Sequence, residues 1–434
     1  MTSSHRSSGL ITPTRRQLIK TATMGAAALS APALFGRSAS AAGREIKVGF
    51  VSPKTGPIAA FASSDDFVLS GMNSLLKDGI EIAGKTHPVK IIVKDSQSNP
   101  SRAAEVASEL ILKDKVDLVL ASSTADTTNP VADQCELNEI PCITTDTPWD
   151  AHFFGRGGNP AVGFNWTYHF FWGLGQIADS FTALWDTIPT NKKVGVLWSN
   201  DSDGVPISNA EHGLPPLLKK NGYEVIDAGF FEPLADNFTA QISKLKAADV
   251  DIVSGVFIPP TFTTFWTQCA QQGFKPKAVT VAKALLFPSS LEALGDRGVG
   301  LSSELWWSPA HPFKSSLSGQ SAKEFADAYM KESGRQWVQP MGFKHALLEV
   351  AVNVLKRTAN VDDRASIRDA IVGTDMATIV GPVSWKKGPV KNAAQTPLVG
   401  GQWIKGEKYP YEIAVAENKT APEIPVTQAF KPLS

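Results

Sequence analysis

The amino-acid sequence predicts an α/β fold of two doubly wound parallel-sheet lobes joined by multiple crossovers. Three observations carry this prediction. Short β-rich runs alternate with helix-length segments at the spacing of βαβ units. The alternation occurs twice, in two series of similar size. Between them, over residues 155–165, the composition turns to Gly, Asn and Pro, as where a chain leaves one lobe for another.

The first series opens with Ile46-Lys-Val-Gly-Phe-Val51, the Gly/Pro turn SPKTGP and a helix over 65–77. It continues through KIIVKD at 90–95 with a helix to Asp114, DLVLAS at 117–122 with a helix to Leu137, and PCITT at 141–145. The second series runs through KVGVLWS at 193–199, YEVIDAG at 223–229, DIVSGVF at 251–257 and AVTVAKA at 278–284. Runs this apolar, each followed by a helix, suit a parallel sheet covered on both faces. Helices over 321–333 and 341–358 follow, and GPVSWKKGPV and VGGQWIKG resume β character. The run WTYHFFWG, from Trp166, reads as a buried helix start. The resulting division is a leader at 1–41, lobe 1 over 44–160, lobe 2 over 161–307, a return to lobe 1 over 308–375 and the end of lobe 2 over 376–434.

The leader itself is informative. TRRQLIKTATMGAAALSAPALFGRSASA, from Thr14 to Ala41, has a charged start, a mildly apolar middle and the small-residue ending Ala39-Ser40-Ala41. That is the pattern of a removable export signal. Arg15 and Arg16 resemble a twin-arginine leader, with an ordinary secretory signal as the alternative, and both lead to the bacterial periplasm. Interrupted by Lys20 and diluted by small residues, the segment falls short of the roughly 20 apolar residues that span a bilayer.

Composition narrows the function. With 434 residues and 43% apolar content, the chain can bury the cores of two lobes. Five of the 42 basic residues fall in the acid-free leader, so the remainder is mildly acidic and offers no basic stripe to nucleic acid. Cys135, Cys142 and Cys269 form no CxxC pair; a Cys135–Cys142 disulfide and buried free thiols are both open readings. The seven histidines show no metal-ligand spacing, and no GxSxG, P-loop or GxGxxG occurs, so no metal or cofactor is expected.

IKVGFVSPKTGPIAAFA, KDSQSNPSRAAEVASELILKDKVDLVLASST, DNFTAQISKLKAADVDIV and the late IVGPVSW, in this order, resemble the type I periplasmic solute-binding proteins of ABC importers, in the leucine/isoleucine/valine-binding branch. The resemblance implies the periplasmic binding protein-like I fold, binding without covalent chemistry and no enzyme activity. It also implies a monomer that hands its closed form to membrane permease subunits and, through them, to ATPases. Its ligand loops fall here on Phe61; on Ser122, Ser123, Thr124, Ala125 and Asp126; and on Thr145, Asp146 and Thr147. In the second lobe they fall near Asp203, Phe257 and Ile258. Each position has a structural alternative: a strand-end Ser or Thr often caps the next helix, and Phe61 can be packing.

One departure bears on the ligand. Where amino-acid binders of the branch carry a carboxylate for the ligand ammonium, VAKALLFP offers Ala284 beside Lys283. A lysine aimed into the cleft favours an anionic group; a solvated or internally paired Lys283 is the alternative. Trp149, Trp166 and Trp198 lie near the expected cleft edges, and stacked indoles select flat ligands. An aromatic or apolar carboxylate is therefore favoured over a branched-chain or other amino acid. Two further classes stay open: a sensory binding protein serving a receptor, and a periplasmic hydrolase built on Asp146 with His152 or Asp203 with His212.

Overall fold

Six parallel strands form the sheet of lobe 1. The computed structural model describes residues 1–2 and 41–433; the leader expectation falls on residues 3–40, outside those described. In chain order the first five strands of lobe 1 are β1 (Ile46–Ser52), β2 (Val89–Asp95), β3 (Leu118–Ser122), β4 (Cys142–Thr145) and β5 (Thr167–Phe170). Lobe 2 holds β6 (Lys193–Ser199), β7 (Glu224–Phe231), β8 (Ile252–Val256), β9 (Ala278–Ala282) and β10 (Ser302–Leu305). The chain then returns to lobe 1 for β11 (Ala393–Ala394) and ends in lobe 2 with β12 (Val399–Lys405) and β13 (Tyr411–Glu417).

The lobe 1 sheet has the order β11-β5-β4-β3-β1-β2. The lobe 2 sheet has the order β7-β6-β8-β9-β10-β12-β13 and is parallel as far as β10, with β12 and β13 antiparallel at one edge. β3, β4, β8 and β9 are buried along their whole length, as expected of strands covered by helices on both faces. The doubly wound, two-lobed reading holds.

Local sequence explains the helix ends. Asn99 accepts from the Arg102 N–H at 2.9 Å and Pro100 takes the first helical position of Pro100–Glu109. Ser321 and Glu324 form a capping box on Ala322–Ser333, which closes on the left-handed Gly334. The 18-residue helix Pro340–Arg357 is apolar on nearly all sides because it is buried on nearly all sides. Among the described residues no helix is long and apolar enough to cross a membrane.

Three sequence expectations need correction. WTYHFFWG starts no helix: Thr167–Phe170 is β5, hydrogen-bonded to β4. The first crossing therefore comes after Phe170, not at 160/161. The second boundary moves as well, because β11 pairs with β5 in lobe 1 and the return to lobe 1 runs past 375 to the residues before β12. Of the two open readings for Cys135 and Cys142, buried free thiols in one apolar cluster are the one found.

Candidate functional site

The strand tips of both lobes face one another across a cleft that is closed in this structure. Phe61, on a short 3-10 turn after β1, meets Phe287 of lobe 2 edge-on, with ring centroids 5.0 Å apart. Ser202 N–H donates to Asp126 at 3.0 Å, while Ala125 N–H and the Thr147 hydroxyl reach the Asp203 carboxylate at 3.3 and 3.4 Å. Behind these contacts lies a narrow inner chamber of about 30 Å³ in this closed form. Phe61, Phe171, Trp172, Leu286 and Trp306 supply much of its apolar wall, and Thr124, Asp146, Asp203, Lys283 and Glu304 its polar one. A separate, wider cleft outside it is bordered by Asp126, Asp201 and Ile258.

Four buried polar atoms of the chamber residues have no protein partner: Thr124 Oγ1, Asp146 Oδ1, Trp172 Nε1 and Trp306 Nε1. Buried polar groups are normally hydrogen-bonded, and leaving one unpaired costs about 1–3 kcal/mol. Thr124 stands at the N-cap of Ala125–Leu137 yet makes no side-chain cap bond, so the capping alternative fails for it. Asp146 follows β4 in a left-handed conformation at φ 73°, one that Asp tolerates better than most residues. The Ser122 hydroxyl donates to its Oδ2.

The electrostatics are acidic. Burial pushes the Asp146 carboxyl up to about 7, although the Lys344 charge and the Ser122 hydrogen bond oppose this. Burial also raises Glu304 to about 7 and Asp203 to about 6. Lys283 follows β9 at φ 71°, its N–H fixed by Glu304 at 2.9 Å. Its Nζ lies 2.7 Å from Asp203, 3.3 Å from Asp201 and 3.7 Å from Asp126. Burial works against the charge of Lys283, but these carboxylates hold it above the usual lysine range. Burial likewise opposes the charge of Asp201, yet Lys283 and the Gly204 N–H keep that carboxyl below its ordinary value.

Of the expected site residues, Phe61, Thr124, Asp146, Asp203 and Lys283 line the chamber, and Asp126 and Ile258 border the outer cleft. Ala125 and Thr147 take part in closure, while Ser122 positions Asp146. Ser123 is buried beside them with its hydroxyl unpaired. Three assignments are corrected. Phe257 lies in the lobe 2 core, 4.7 Å from Phe231 and 5.3 Å from Phe265 between ring centroids. The Thr145 hydroxyl is spent on Phe170 O at 2.7 Å, tying β4 to β5. Trp149 packs against Phe154 and is not in the chamber wall.

Lys283 does reach the cleft, but the internally paired alternative is the one found, so no free cation awaits an anion there. Trp198 is a core residue and Trp166 packs under Arg368. Sequence reasoning missed Phe171, Trp172, Glu304 and Trp306. The available signal was position, since Trp172 and Trp306 closely follow the tips of β5 and β10. The proposed acid–base pairs are not assembled: His152 is bonded to Asn129 at 2.8 Å and stacked on His169, and His212 is exposed beside Glu211.

A family model described as "Periplasmic binding protein" matches residues 45–408. The chain belongs to that family. This periplasmic binding protein is similar to Leu/Ile/Val-binding protein homolog 3 of Brucella melitensis, 23% identical over 366 residues that cover 80% of this chain and 89% of the relative. It superposes on the leucine-binding protein LivK of Thermotoga maritima with a TM-score of 0.70 at 19% identity, over 86% of this chain and 99% of the other. A solute-binding protein of an ABC transporter from R. palustris, solved with 4-hydroxybenzoate, gives 0.68 at 16% identity over 89% and 98%. Membership of the periplasmic binding protein family and the type I fold are thus established for this chain.

Proposed function

We propose that the protein is the solute-binding subunit of an ABC importer, working as a monomer in the periplasm, and that its inner chamber holds a small aromatic or apolar solute with both an accepting and a donating group. The single observation behind this is the set of four unpartnered buried polar atoms on residues that line a chamber with a largely aromatic wall. A carboxylate or carboxamide would be received by the Thr124 hydroxyl and the indole N–H groups of Trp172 and Trp306. A hydroxyl, amide N–H or ammonium would serve Asp146 Oδ1. The anionic group is thus assigned to neutral donors instead of Lys283. Hydroxylated aromatic acids and apolar amino acids both carry the required pair of groups. Four aromatic side chains in the wall favour the former, and the R. palustris protein solved with 4-hydroxybenzoate is in keeping with it.

Thermal-shift measurements with benzoate, 4-hydroxybenzoate and leucine test the reading, because a ligand that binds only the native state raises the melting temperature. The expected order is 4-hydroxybenzoate above benzoate, since benzoate leaves Asp146 unpaired. A response to leucine, isoleucine and valine alone would refute the aromatic preference. No response to any acid or amino acid would refute the site. For export, replacing both Arg15 and Arg16 by lysine is expected to leave precursor in the cytoplasm; unchanged periplasmic yield would point to the ordinary secretory route.

A further inference from the structure

The ion cluster around Lys283 lies between the two compartments of the cleft. Asp203 and Lys283 face the inner chamber, and Asp126 and Asp201 border the outer cleft. It also joins the lobes: Asp126 is in the first turn of the helix after β3, while Lys283, Asp201 and Asp203 follow the strand tips of lobe 2. Oxygen atoms of the three carboxylates lie within 4.8 Å of one another, a grouping that calls for a positive charge. The chain supplies that charge itself, from a lysine whose backbone takes an unfavourable left-handed conformation and is pinned there by the Glu304 carboxylate.

We propose that the Lys283 ammonium is a tethered counter-cation that fastens lobe 1 to lobe 2 and fills the position a cationic group of a ligand would otherwise take. Closure then draws on an interaction the protein carries within itself. A ligand ammonium gains nothing at Asp126, Asp201 and Asp203 unless it displaces Lys283. The donating group of a ligand is therefore left to Asp146, which follows β4 in lobe 1. Lys283 is on this account a determinant of specificity through exclusion, since selectivity can come from denying a site to the wrong ligand as well as from fitting the right one. This selectivity rests on the inner chamber being the ligand site; the fastening of the lobes does not.

Small-angle X-ray scattering on the full mature protein without added ligand tests the fastening. Lys283→Met is expected to raise the radius of gyration, Asp126→Asn to do the same, and the double variant to add little, because each change removes the same contact. Circular dichroism checks that the variants fold; should Lys283→Met not fold, Asp126→Asn at the cleft edge carries the test. Terbium(III) luminescence tests the vacated position: Lys283→Met is expected to bind the ion at least roughly tenfold tighter than the unaltered protein, a coupling of ordinary size for two linked sites. Scattering curves that coincide for variant and parent, or terbium binding that does not change, would overturn the proposal. If no compound shifts the melting temperature of the unaltered protein, the ligand reading fails while scattering and terbium still decide the role of Lys283.

Discussion

Replacing Lys344 by methionine is expected to destabilise the protein by about 3–5 kcal/mol, the typical cost of removing one partner of a buried ion pair. Lys344 lies inside Pro340–Arg357, and its ammonium contacts the Asp65 carboxylate, with both side chains wholly buried. The same ammonium donates to Ser52 Oγ at 2.9 Å, at the tip of β1, and stands 5.6 Å from the centre of the Phe50 ring. Methionine fills nearly the same volume, so the loss would come from an Asp65 charge left without a counter-ion and not from a cavity. Against a total stability of about 5–15 kcal/mol, this is a large fraction. Urea denaturation of the single variant should show it. Lys344→Met with Asp65→Asn should recover much of the loss, since neither charge then remains. If the two losses simply add, the ion pair is not what holds this part of lobe 1.

The regular elements were legible because each carries its own local signal. β6 was read to the residue at both ends from KVGVLWS, and the helix Ala322–Ser333 begins and ends where Ser321 and Gly334 place it. β5 was misread because Thr167, Tyr168, His169 and Phe170 are all buried, and so short a stretch has no period that tells a strand from a helix. β11 has two residues and no pattern at all; only its pairing with β5 assigns Ala393 and Ala394 to lobe 1. The site was legible in the same uneven way. Thr124 and Asp146 are found from their places after β3 and β4, because strand ends in doubly wound sheets face the ligand cleft. Phe257 follows β8 just as directly yet points into the lobe 2 core, an outcome set by packing against Phe231, Phe238 and Phe265. The partners of Lys283 are distant in sequence, and one belongs to the other lobe. Its charge could be read from the chain, but its neutralisation only from the fold.

Asp146→Asn is expected to change both the pH dependence of stability and ligand binding, in opposite senses. In the folded protein the Asp146 carboxyl titrates at about 7, raised by burial from an ordinary value of 3.8. The folded state therefore keeps a proton that the unfolded chain releases. The stability contributed by this proton is fully present below the unfolded value and is lost as pH rises through the folded one. Asparagine does not titrate. Relative to the parent, the variant should gain about 2–4 kcal/mol between about pH 4 and pH 8, from a shift of about three units at 1.36 kcal/mol each. Denaturation curves at the two ends of that range measure the difference. The Lys344 charge already opposes the rise at Asp146, so Lys344→Met should move the transition to higher pH. Ligand affinity should fall in the same variant, because an amide nitrogen turned into the chamber offers a donor where a ligand hydroxyl or ammonium needs an acceptor. A parent that holds a costly carboxyl at a strand tip, in a left-handed turn and with one oxygen unpaired, is less stable than it could be. Exchanging stability for an acceptor of this kind is a recurrent feature of binding sites. An Asp146→Asn variant with the pH profile and affinity of its parent would show that this oxygen does not meet the ligand.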